Sequence, residues 1–122
     1  MAKGPQNKKP TVARAEAERF LGATPYMKGF HFYTAIGNYT EETATNLSEL
    51  AKMLQTIAES SIAFHFQRQD FQKWIRATIG DHELAGRMDK IKVTPSIEDL
   101  RNRLIRTVQT RITELEELSG GQ

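Results

Sequence analysis

Phe64-His65-Phe66-Gln67-Arg68-Gln69-Asp70-Phe71-Gln72-Lys73-Trp74-Ile75, followed by Ile79-Gly80-Asp81-His82-Glu83-Leu84-Ala85, gathers the single Trp, two of the three His and three of the six Phe of a 122-residue chain. Such a density of large apolar side chains marks the centre of the fold. Short polar residues punctuate the block. Asp70 and Asp81 each precede an apolar helical face and read as N-caps, with Gly80 as a helix stop between them. At about 100° per residue, Phe71, Trp74, Ile75 and Thr78 share one face, and Leu84, Ala85 and Met88 another. Ahead of them, Ile62 to Gln67 reads as a further short helix opened by Ser60 or Ser61.

On the N-terminal side of this block, Asn46 and Glu49 form a capping-box pattern that predicts a helix to about Ala58, with Leu47, Leu50, Ala51, Leu54 and Ile57 inward. On the other side, Thr94-Pro95 and the pair Ser96 and Asp99 open the longest helix. Its stripe runs Ile97, Leu100, Leu104, Val108, Ile112, Leu115, Leu118, and Gly120-Gly121 ends it. This stripe is longer than a core of this size requires. Ile112, Leu115 and Leu118 are therefore the candidate face for a partner helix or a second copy of the chain, the alternative being an end that projects into solvent and frays. Upstream, Thr11 opens an Ala-rich helix to about Leu21, stopped by Gly22. Phe30, Phe32, Thr34 and Ile36 then alternate with His31, Tyr33 and Ala35 at the period of a strand. No second strand is evident, so this segment is expected to be extended chain on helices or a helical turn. The expected fold is all-α, a compact bundle of four to five helices with a long C-terminal helix and room for one short extended segment near 30–36. Residues 1–10 are expected to be a flexible basic tail, 11–118 a single helical domain, and 119–122 a disordered C-terminus.

With 39% hydrophobic and 26% charged residues, the composition is that of an ordinary globular domain able to bury a core without staples. The absence of cysteine excludes disulfides, thiolate metal sites and thiol catalysis, and it suits a reducing compartment, so a cytoplasmic location is expected. No apolar run of about 18 residues is present, and Met1 to Pro10 lacks the apolar centre of a secretory signal, so no membrane contact is expected. The net charge is +2. Lys3, Lys8, Lys9 and Arg14 make the N-terminal arm basic and are the candidate nucleic-acid contacts, weighed against a merely solvated tail. Arg101, Arg103, Arg106 and Arg111 do not form one basic face. Arg103 and Arg106 project opposite the apolar stripe, whereas Arg101 and Arg111 fall beside it, where stems pack and heads pair with a carboxylate or at an interface.

His65, Asp70, Asp81, His82 and Glu83 are residue types suited to acid–base work or an oxygen and nitrogen metal site. Their spacing offers no helical His pair, and there is no phosphate loop or nucleophile motif, so no catalytic residue, metal ligand or cofactor is expected. Once Asp70 and Asp81 are taken as caps and Trp74 as a core anchor whose N–H needs an acceptor, His65 and Arg68 remain as the candidate functional pair.

The order Leu47-Ser48-Glu49-Leu50, Ser61-Ile62 with His65, Asp70-Phe71-Gln72-Lys73-Trp74, Ile79-Gly80-Asp81-His82-Glu83-Leu84-Ala85 and Ile97-Glu98-Asp99-Leu100-Arg101 resembles a prokaryotic domain family of unknown function, common in archaea. The resemblance spans about Phe30 to Leu115 and implies a small, mostly helical fold without an assigned activity. The expected function is a non-enzymatic protein-interaction or accessory module, with a protein partner or homo-oligomer formed through the C-terminal helix. The alternative is an RNA-, DNA- or ribosome-associated accessory protein using the basic arm, and a third reading is a small enzyme using His65 and Asp70.

Overall fold

The computed structural model describes residues 13–120. Helix α1 covers 13–21 and stops at Gly22, burying Ala17 and Phe20; the cap expected at Thr11 lies outside the described residues. A 3-10 turn, Tyr26–Lys28, leads into strand β1, Phe30–Ala35, which pairs antiparallel with β2, Asn38–Ala44. The fold is therefore not all-α. It is a mixed α/β fold, and the extended segment near 30–36 is half of a two-stranded sheet. Its partner carries Tyr39, Thr40 and Thr43, which suit a pleated surface, although only its last residue, Ala44, is buried. Gly37, at φ 79°, supplies the left-handed turn between the strands. Phe30 and Phe32 point inward as the alternation predicts, but Ile36 sits at the turn and is 84% exposed. In the register His31 faces Thr43 and Tyr33 faces Tyr39, so Thr40, Glu41 and Glu42 oppose Phe32 alone. This bulge carries Glu41 at φ 72°, and the Thr40 hydroxyl donates to the Phe32 carbonyl at 2.8 Å.

Helix α2, Leu47–Leu54, starts as the capping pattern predicts. Asn46 Oδ1 accepts the Glu49 N–H at 2.7 Å, while Glu49 Oε1 reaches back to both the N–H and the hydroxyl of Thr45. The helix ends at Leu54, earlier than expected, and α3, Glu59–Arg68, begins after Ala58, which makes no side-chain cap. Ser61 is buried inside α3. Helix α4, Asp70–Trp74, continues into a π turn over Ile75–Ile79 that closes when the Gly80 N–H donates to the Ile75 carbonyl at 2.7 Å. Asp81 caps α5, His82–Asp89, and Ser96 caps α6, Ile97–Leu118.

The aromatic centre of the core is Phe30. Its ring stacks on Phe71 with centroids 5.0 Å apart and meets the edges of Phe32, His65 and Trp74. The Trp74 indole N–H finds its acceptor in the Lys28 carbonyl at 2.8 Å, tying α4 to the turn before β1. Helix α6 packs mainly on α2, and also on α5 and α3. Its stripe is consumed by these contacts. Ile112 and Leu115 are buried in the chain's own core and are not available as a partner face, which leaves only Leu118 of that proposed trio exposed.

Arg101 and Arg111 lie at the edge of this packing. Arg101 donates to the Leu54 carbonyl at 2.7 Å and to Glu98. Arg111 binds Asp81 through both carboxylate oxygens, at 2.8 and 3.1 Å, and also reaches Glu114. Arg87 grips Glu114 with two bonds, and these arginines hold the Glu114 carboxyl below the usual carboxylate range. Buried Asp81 thus serves α5 as a cap and α6 as a counter-ion. Asp81→Ala is expected to lower the unfolding free energy by about 3 kcal/mol, because it removes a cap and strips the half-buried Arg111 of one of its two carboxylates. Asp81→Asn, which keeps a cap acceptor, should cost about 1 kcal/mol less in equilibrium urea unfolding.

Candidate functional site

The last turn of α3 places His65 against β1, and the chain then reverses at Gln69, whose left-handed φ of 62° joins α3 to α4. A non-glycine residue in this region is held there by its surroundings. The reversal brings Asp70 back under His65. The His65 Nδ1 lies 2.9 Å from Asp70 Oδ2, and the Tyr33 backbone N–H donates to His65 Nε2 at 2.8 Å. Since Nε2 must accept that amide, the proton of the neutral ring sits on Nδ1 and is donated to the carboxylate. Arg68 Nε donates to the same Oδ2 at 3.0 Å, and its guanidinium lies over the Phe64 ring at 5.0 Å.

Asp70 is therefore not the cap of α4. Gln69 occupies the cap position without a side-chain bond, and the Asp70 carboxylate serves His65 and Arg68 instead. The predicted pair does come together, but through a third residue that helix-cap logic had assigned elsewhere. His65 itself is only 4% exposed, and both of its ring nitrogens are committed. Burial holds its pKa below the ordinary imidazole value, with the hydrogen bond and charge of Asp70 opposing the shift. The Tyr33 amide, which requires an unprotonated Nε2, acts in the same direction as burial.

Beside this cluster, a groove of about 650 Å³ opens between β1 and the α3–α4 junction. Phe30, Tyr33, Phe64 and Trp74 line it with aromatic surface, and Arg68 and Lys73 stand on its helical side. From β1 it also takes His31, whose Nδ1 lies 2.7 Å from the Thr43 hydroxyl, next to a chain of hydroxyls formed by Tyr26, Tyr39 and Thr43. Tyr33 and His31 were missed as site residues. The strand alternation alone could have placed them together on the face opposite Phe30 and Phe32.

The other candidates lie elsewhere. Lys3, Lys8 and Lys9 fall outside the described residues, and Arg14 on α1 brings its guanidinium to within 3.0 Å of where a β-carbon on Gly120 would stand, beside the end of α6. Arg103 pairs with Asp99, and with Arg101 and Arg111 already committed, α6 presents no continuous basic face. Among the described residues no three His, Asp or Glu side chains gather as metal ligands, and no helix is long and apolar enough to cross a membrane.

Residues 27–121, which include both the Asp70-to-Trp74 and the Gly80-to-Ala85 steps, match a family described as a family of unknown function (DUF5752). No curated protein and no solved structure matches the chain.

A native neutral His65 makes stability depend on pH. Between its lowered native value and about 6.5, the unfolded chain binds a proton that the native protein does not, so stability is complete above that window and is lost as pH falls through it. The wild type should lose stability from about pH 6.5 downward with a slope approaching about 1.4 kcal/mol per pH unit relative to His65→Gln, which cannot titrate. Urea midpoints measured across this range check it; parallel curves would mean that His65 titrates alike in both states.

Proposed function

Because the chain belongs to the DUF5752 family of unknown function, from which it inherits no activity, we propose from the geometry that it is a non-enzymatic protein-interaction module docking its partner in the β1/α3–α4 groove. The observation that carries this reading is an open groove with aromatic walls and two cations, set beside an imidazole that has no free nitrogen. A general base needs a lone pair within reach of a substrate proton. The Nε2 lone pair of His65 is occupied by the Tyr33 amide, and Asp70 Oδ2 already accepts two donors, which speaks against the enzyme reading. Concave surfaces lined by aromatic rings with a few polar groups are the usual form of recognition sites. The C-terminal helix offers no comparable surface, since Ile112 and Leu115 face inward.

Affinity capture from the native lysate, with and without nuclease, tests the proposal when the wild type is compared with a Phe64→Ala/Arg68→Glu double variant. A protein retained by the wild type after nuclease treatment and lost about tenfold or more by the variant is the expected result. Equal capture by both proteins would remove the groove from the interaction, and capture abolished by nuclease would replace the protein partner with a nucleic-acid tether.

A further inference from the structure

We propose that the occupant of the groove is an extended acidic segment of a partner protein, with an aromatic or aliphatic side chain next to a carboxylate. This rests on the reading of the groove as a docking surface and adds the chemistry of what it holds. The groove has the shape of an extended chain. The groove is bordered from Gly29 to Gly37, the full length of β1, and six strand residues span roughly 20 Å. An extended peptide of about that length fits such a trough better than a compact ligand does.

The groove is also cationic. Arg68 and Lys73 stand on the helical side, and among the described residues Lys73 makes no ion pair. Asp70, the acid bordering the groove, is already engaged by His65 and Arg68. A cationic occupant would meet two cations and a spent carboxylate, whereas an acidic one would meet a guanidinium prepared for it. Arg68 is anchored through Nε, its guanidinium carbon lies over the Phe64 ring, and its two terminal nitrogens form no hydrogen bond among the described residues. A planar donor pair held in this way matches a carboxylate with little further ordering.

The walls do not suit stacked bases. Phe64 has Arg68 over its ring, and Trp74 and Phe30 are only 8% and 4% exposed, so of the four aromatic walls Tyr33 alone has neither a cation over it nor near-complete burial. Single-stranded nucleic acid needs open ring faces on which successive bases stack. The Tyr33 N–H is taken by His65, so the peptide is held by its side chains and not by added strand pairing at that position.

A random seven-residue peptide display library selected in parallel on the wild type and on an Arg68→Glu/Lys73→Glu variant tests the proposal. Both substituted side chains are exposed, and circular dichroism confirms that the variant remains folded. Peptides with an acid beside an aromatic or aliphatic residue should be enriched on the wild type only. The best of them should shift Trp74 fluorescence on titration, with a Kd that weakens about tenfold or more in the variant and also weakens with added salt. Neutral or basic peptides whose enrichment depends on Phe64 would overturn the acidic assignment while leaving the groove as a docking surface. No enrichment over the variant overturns the assignment as well, and together with unchanged lysate capture by the Phe64→Ala/Arg68→Glu variant it overturns both readings. A ten-nucleotide oligothymidylate that shifts Trp74 fluorescence at lower concentration than any selected peptide would assign the groove to nucleic acid instead.

Discussion

The His65 imidazole joins the two halves of the molecule. A two-stranded hairpin is marginal by itself in water, and the edge of β1 turned toward α3 has no third strand to take its amide groups. His65 supplies an acceptor there, receiving the Tyr33 N–H on one nitrogen and giving its own proton to Asp70 on the other. A buried imidazole in contact with Phe30 and Phe32 can hold both bonds only while it is neutral, so one protonation state of one side chain is built into the seating of the sheet on the helices. Trp74 repeats the device a short distance away, its indole N–H bound to the carbonyl of Lys28 just before β1 begins.

The charged residues are distributed in a way that gives the groove its character. Across the α5–α6 side, Arg87, Arg111, Asp81, Glu83 and Glu114 satisfy one another, and Arg76 and Arg103 each have an acid of their own. Those cations serve the fold. The count of basic residues consequently says little about nucleic acid, because many of the arginines stand beside carboxylates of their own. At the groove the balance differs, with Arg68 and Lys73 against one shared acid. The functional reading rests on this local excess beside aromatic surface and not on the net charge of the chain.

Much of the helical frame was legible because it depends on neighbours in sequence. The Asn46–Glu49 and Ser96–Asp99 caps, the Asp81 cap, the stop at Gly80 and the inward faces of α2, α5 and α6 all follow from groups three or four residues apart that meet within one helical turn. The hairpin was half legible. Phe30 and Phe32 showed the period of a strand, but β2 is mostly polar because one side of it faces water, and no apolar alternation announced it. The same locality misassigned Asp70: an acid before an apolar run is a good cap by rule, yet the left-handed Gln69 turns it toward His65 and Arg68.

Sequence alone therefore determined most of the helices, the caps at Asn46, Asp81 and Ser96, most of the core positions and the two residues, His65 and Arg68, that the local roles left over. Tertiary structure alone decided what those residues do. The Tyr33 amide lies 32 positions from His65, and the Lys28 carbonyl 46 positions from Trp74. No periodicity in one segment can specify a partner of that kind, because each such bond depends on how two separately formed elements are packed. The same packing turned Ile112 and Leu115 of α6 inward and left an open groove beside β1.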